Sequence, residues 1–175
     1  MQLSKRAVCF LLAILFIPCA AAAQQQPARW RAATEQELRK VIPARAPVVK
    51  ENIETEFRTA SGVTDGRGRF IAGVVMITAG YSAEGKYSHF FVTQTPVRID
   101  GLILQPDEYV FGYQRVDNET LRLVFHKASS GKEVGDARAR LNPKSAAVRS
   151  LLISPPAGGR GTLQIGRFVL DYRLD

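Results

Sequence analysis

Apolar positions along the chain fall into three regimes: one unbroken run, one short stretch at helical spacing, and a long stretch of alternation. The unbroken run covers residues 7–17 behind Lys5 and Arg6, ends at Pro18, and is followed by Ala21-Ala22-Ala23. A positive head, an apolar centre and small residues before a cut are the three parts of a secretory signal peptide. A spanning helix needs about 20 apolar residues, a length reached here only by counting Pro18 and the alanines. Residues 1–23 are therefore expected to be a cleavable signal, with Gln24 as the new N-terminus. The product would be exported, to a periplasm or the extracellular space, with no transmembrane segment after cleavage. Cys19 follows Pro18, whereas lipid attachment wants a small residue there, so a soluble product is expected.

Residues 24–51 read as a flexible leader, a short helix and a connector. Gln24-Gln25-Gln26-Pro27 offers nothing to a core. Thr34 and Glu37 form the T-x-x-E pattern of a capping box, and Pro43 marks a stop. Leu38, Val41 and Ile42 are the only apolar face, which suits one short helix beside something larger. Residues 43–47 are expected to be extended.

From residue 52 the period becomes two. Ile53, Thr55, Phe57 and Thr59 alternate with Glu54, Glu56 and Arg58, the signature of a strand with one wet face. A loop over residues 62–68 is expected to break it. Residues 71–79 are apolar on both faces and dotted with small residues, as in a central strand. A turn at 82–86 leads to a return strand at 87–93. Asp100-Gly101 between Val97, Ile99 and Leu102, Leu104 is a hairpin signal, and Gln105-Pro106-Asp107-Glu108 a second turn. Residues 109–116 and 121–127 form the clearest hairpin, with Leu121, Leu123 and Phe125 inward and Arg122, Val124 and His126 outward. Strands at 134–141 and 148–154 follow. Near the end, Leu163 and Ile165 share one parity while Phe168, Leu170, Tyr172 and Leu174 share the other, so a β-bulge is expected near Gly166-Arg167. These segments predict an all-β fold over residues 52–175: an antiparallel β-sandwich of about eight or nine strands with one short N-terminal helix, or alternatively a small closed antiparallel β-barrel.

Charge changes this picture more than composition does. Removing the signal leaves 22 Lys and Arg against 16 Asp and Glu, a net of +6. Between Asp136 and Asp171 there is no acid, while Arg138, Arg140, Lys144, Arg149, Arg160 and Arg167 all fall there. Scattered solvent-facing arginines would explain this tract without any site. If residues 134–141 and 148–154 formed a hairpin, however, Arg138, Arg140, Lys144 and Arg149 would gather as an anion-binding patch for an acidic glycan, a phospholipid head group or an acidic protein. No nucleic-acid signal of interleaved basic and aromatic residues is present.

Other chemistry is thin. Both cysteines, Cys9 and Cys19, lie in the signal, which removes disulfides and thiol chemistry from the mature chain. His89 and His126 lack ligand spacing, so no metal or cofactor is implied. There is no G-x-S-x-G elbow for a hydrolase. Asp107-Glu108 reads as a turn rather than as a glycosidase pair, and the glycine-rich stretches at 66–69 and 158–161 lack a phosphate-loop ending. Tyr109, Phe111 and Tyr113 lie on one strand face and suit a core. The expectation is an exported, non-catalytic binding or envelope-associated domain; a small-ligand carrier with a barrel cavity comes next and a small hydrolase after it.

Overall fold

The structure, a computed structural model, describes residues 29–78, 86–144 and 147–174. The expected signal, both cysteines, the glutamine-rich leader and most of the turn at 82–86 lie outside the described residues. The described chain is nearly all strand: β1 (Arg31–Ala32), β2 (Arg45–Val48), β3 (Glu51–Thr64), β4 (Phe70–Met76), β5 (His89–Thr93), β6 (Val97–Ile99), β7 (Leu102–Leu104), β8 (Asp107–Arg115), β9 (Thr120–Lys127), β10 (Glu133–Leu141), β11 (Arg149–Ile153), β12 (Arg160–Gly166) and β13 (Phe168–Leu174), with one helix, α1 (Glu35–Leu38). Nine of the strands follow one another around the wall in the order β3-β4-β5-β8-β9-β10-β13-β12-β11, each pair antiparallel.

This single sheet curls until β11 packs against β3 and β4. The antiparallel all-β expectation holds, and of its two forms the sheet approaches the barrel. Among the described residues no ladder joins β11 to β3; instead the Ile153 N–H donates to Ser61 Oγ at 2.8 Å across the seam.

Alternation sets the inside. Phe91, Phe111 and Phe125 are fully buried and meet edge-on or tilted, with centroids 4.9–6.4 Å apart. Leu123, Ala137, Ala139, Leu163, Leu170 and Tyr172 belong to the same cluster. Such aromatic contacts add specific geometry to the burial of large apolar area. A second cluster lies outside the barrel wall: Ala72, Val74, Phe90, Val92 and Val110 are covered by Leu38 and Ile42 from the helical segment and by Ala46 and Val48 from β2. The helix begins at the expected capping box, with the Glu37 N–H on Thr34 Oγ1 and the Thr34 N–H on Glu37 Oε2.

Four local expectations are corrected. Residues 45–48, expected to be part of a connector, pair with β3 as β2 because Ala46 and Val48 have a core to enter. The loop expected at 62–68 shrinks to 65–69, since Gly62 runs on within β3 against Ala72. The Asp65 carboxylate closes that loop by accepting from the backbone N–H groups of Arg67 and Arg69 and from Arg69 Nε. At Gly166-Arg167 the chain makes a two-residue hairpin turn instead of a bulge: Ile165 pairs with Phe168, and Gly166 has φ of 62°. Paired residues flanking such a turn face the same side, so the parity switch marks a reversal of direction. Finally His126, expected on a solvent face, is 7% exposed beneath the edge of the Tyr87 ring; burial lowers its pKa, with Glu133 opposing.

Candidate functional site

The feature that positions the site is a shared strand edge. Residues 168–169 of β13 pair with the end of β10, whereas residues 172–174 of β13 pair with β6 on the hairpin β6–β7. That hairpin turns at Asp100-Gly101, both at positive φ (46° and 87°), as the dipeptide predicts. Its turn reaches across to β10, where Asp100 Oδ2 accepts the Arg138 N–H at 2.9 Å. Backbone donors left without a ladder need such a partner. Behind it, Leu102 packs against Gly135, which has φ of 145° and where a Cβ would stand 2.7 Å from Leu102 Cδ1. A glycine is needed there on both counts.

Around this junction lies a cleft of about 580 Å³ on the outer wall. Arg98 from β6, Arg138 and Arg140 from β10 and Arg173 from β13 line it, with Asp100 and Asp171 between them and Gly101, Val169 and Leu170 completing the walls. Four guanidinium groups against two carboxylates leave a formal net of +2. Elsewhere six of the twelve described arginines stand in ion pairs, Arg31–Glu37, Arg39–Glu35, Arg45–Glu54, Arg58–Glu56, Arg69–Asp65 and Arg122–Asp136. Arg138, Arg140 and Arg173 have no such ion pair among the described residues. Arg140 acts at longer range, helping the Glu119 and Thr120 hydrogen bonds to hold the Asp117 carboxyl low.

Of the four residues singled out in the sequence, the structure brings Arg138 and Arg140 into this cleft and leaves Lys144 and Arg149 outside its lining. The hairpin that would have joined them does not form, because β13 and β12 lie between β10 and β11. Lys144 sits in the turn after β10, its N–H on Asn142 Oδ1 at 3.1 Å, and Arg149 pairs in register with Gly166 on β12. Arg98 and Arg173 are the residues that sequence reasoning missed. Each is outward by alternation, between Val97 and Ile99 and between Tyr172 and Leu174, but their partnership needs β6 to dock on β13 across 75 residues.

A second recess, about 390 Å³, opens at the end of the barrel where β5 begins, lined by Thr59, Val75, Ser88, His89, Tyr113 and Ser150 among others. His89 is 3% exposed and stacked on Phe111 at 4.6 Å and 8°. Its Nε2 lies 3.4 Å from the Ser150 carbonyl and its Nδ1 2.8 Å from Ser88 Oγ. With Nε2–H turned to the carbonyl, Nδ1 accepts the Ser88 hydroxyl proton. Burial pushes the imidazolium pKa down to about 4, opposed by the Ser150 carbonyl, which makes this histidine a weak base near neutral pH. Tyr113 also borders an adjoining recess of about 290 Å³ beside Leu121, Ile165 and Phe168, where Arg115 stands 5.3 Å over the Phe168 ring. Tyr109 and Phe111, the rest of that aromatic row, are buried in the core.

Asp107 bonds Lys127 Nζ at 2.7 Å, which chiefly holds its carboxyl low, while Glu108 points to solvent. Among the described residues no group of three His, Cys, Asp or Glu is placed to hold a metal ion. No family model, no curated protein and no solved structure matches the chain.

Proposed function

We propose that this chain is an exported, non-catalytic binding domain that takes an anionic partner in the arginine cleft between β6, β10 and β13. The observation that carries the reading is the convergence of Arg98, Arg138, Arg140 and Arg173, from three strands, on one concavity. Like charges brought together on neighbouring strands repel, and a bound anion offsets that repulsion with charge-assisted hydrogen bonds. The carrier reading is weaker because phenylalanine rings fill the barrel interior. The hydrolase reading is weaker because His89 is a poor base whose second nitrogen faces a backbone carbonyl.

The test is retention on an anionic matrix near neutral pH. Binding should fade as salt rises toward about 0.5 M, where screening confines exposed charges to a few ångströms. Replacing Arg98, Arg138, Arg140 and Arg173 by glutamine should abolish retention. Replacing the exposed Lys40, Lys50, Arg67 and Lys132 instead should leave most of it. Equal loss from both sets would assign the effect to net charge and remove the cleft from consideration.

A further inference from the structure

The cleft does not end at its own wall. In the register of the sheet, Arg160 on β12 stands opposite Arg173 on β13, and Arg173 in turn stands opposite Arg98 on β6. All three face outward, since Gly161, Tyr172 and Ile99 beside them are buried. Adjacent strands lie about 4.8 Å apart, so three guanidinium stems form a row that crosses the strands. Directly opposed like charges are unfavourable in a sheet, and here the opposition occurs twice in succession. Arg173 and Arg98 belong both to this row and to the cleft. The row therefore extends the cleft by one strand, to Arg160.

The acids in the site narrow the chemistry. Asp100 is fixed by its bond to the Arg138 N–H, and Asp171 lies on the outward face of β13 beside Thr162. Carboxylates repel the anionic groups of any ligand, but they accept hydrogen bonds from hydroxyl groups, which a polyphosphate chain lacks. Among the described residues no aromatic side chain lines the cleft, so these residues offer no stacking platform of the kind single-stranded nucleic acid uses. Arginines interspersed with acceptor carboxylates match a ligand that carries anionic groups and hydroxyl donors together.

Resting on the anion-site reading above, we infer that the ligand is an acidic oligosaccharide, a short chain of carboxylate-bearing sugars. It lies across β12, β13 and β6, with one acidic unit over Arg160, the next between Arg173 and Arg98, and one end in the cleft against Arg138 and Arg140. The hydroxyls of the end unit donate to Asp171.

Calorimetric titration at low salt tests this with sodium glucuronate, with oligogalacturonates of two, four and six units, and with short polyphosphate and oligo(dT) as comparisons. Affinity should rise with saccharide length and level off at about the four-unit chain. Arg160→Gln should weaken the four-unit chain about ten-fold, the loss of one charge-assisted hydrogen bond, and leave glucuronate unchanged. Asp171→Asn should weaken the saccharides and strengthen polyphosphate. Affinity independent of length, or an Arg160→Gln variant that binds the longer chains normally, overturns the chain while the cleft still binds single anions. Polyphosphate or oligo(dT) binding more tightly than the saccharides overturns the ligand class. Failure of every anion to bind removes the underlying site as well.

Discussion

On β4, β5 and β8 the residues pointing away from the barrel are Ala72, Val74, Phe90, Val92 and Val110, buried under the helical segment and β2. On β10, β13 and β6 the corresponding outward residues are Arg138, Arg140, Asp171, Arg173 and Arg98, which stand around an open cleft. Both groups of strands obey the same inward alternation. They differ in what covers the outward set: one wall is finished by the chain's own N-terminal segment, and the other presents four arginines and two aspartates around an open cleft. Hydrophobic burial stabilises the first wall at about 25 cal/mol per Å², whereas exposed charges contribute little either way. A buried apolar cover and an open charged cleft thus occupy different strands of the same outer face.

The largest effect should come from the covered wall. Phe90→Ala removes a fully buried ring and should cost about 3–5 kcal/mol in chemical denaturation; a cost below about 1 kcal/mol would mean that the cover is loosely seated. Acidification separates the buried and exposed groups next. The folded-state pKa of His89, about 4, lies below the usual 6.5, so the unfolded chain binds the proton more readily between these values. Stability is full above pH 6.5 and declines as pH falls toward 4, by about 3 kcal/mol at most. His89→Phe should flatten that part of the pH–stability curve. A slope that survives the substitution would point to other groups.

The junction that shapes the bare wall gives a smaller change. Gly135→Ala forces a side chain into positive φ and against Leu102, at a cost of about 1–3 kcal/mol. It should weaken anion binding with every cleft charge retained, and unchanged affinity would detach the hairpin β6–β7 from the site. The smallest effect belongs to the cleft itself: Arg138→Gln with Arg173→Gln should leave stability within about 0.5 kcal/mol of wild type and lower affinity at least ten-fold. A marked loss of melting temperature would show these arginines to be structural.

The pattern in the chain was readable wherever the deciding contacts are local. The capping box of Thr34 and Glu37, the Asp100-Gly101 turn, the β8–β9 hairpin and the outward placement of Arg138 and Arg140 each follow from residues a few positions apart. What was not readable depends on partners distant in sequence. The parity switch at Gly166-Arg167 is the same for a bulge and for a tight turn, and only the pairing of Gln164 with Val169 distinguishes them. Likewise the position of Lys144 and Arg149 depended on β10 and β11 being neighbours, and alternation says nothing about which strands adjoin. Arg98 lay unconnected to the basic tract for the same reason. His126 shows the limit of reading a face as wet: Tyr87, just before β5, covers it from across β8.

The seam between β11 and β3 has a consequence for how the molecule is assembled. Ile153 and Ser61, which meet there, are 92 positions apart, and a side-chain hydroxyl stands where other joints have a ladder of backbone bonds. Hairpins such as β8–β9 and β12–β13 close short loops, whereas bringing β11 to β3 costs the entropy of ordering most of the chain between them. The cylinder therefore closes late in folding and opens first under native conditions, so the Ile153 amide should exchange with solvent faster than that of Leu163 in mid-ladder; the reverse order would show the seam to be as firm as a paired joint. During each opening β11 is an unprotected sheet edge, and it is there that two copies of the chain would begin to exchange strands.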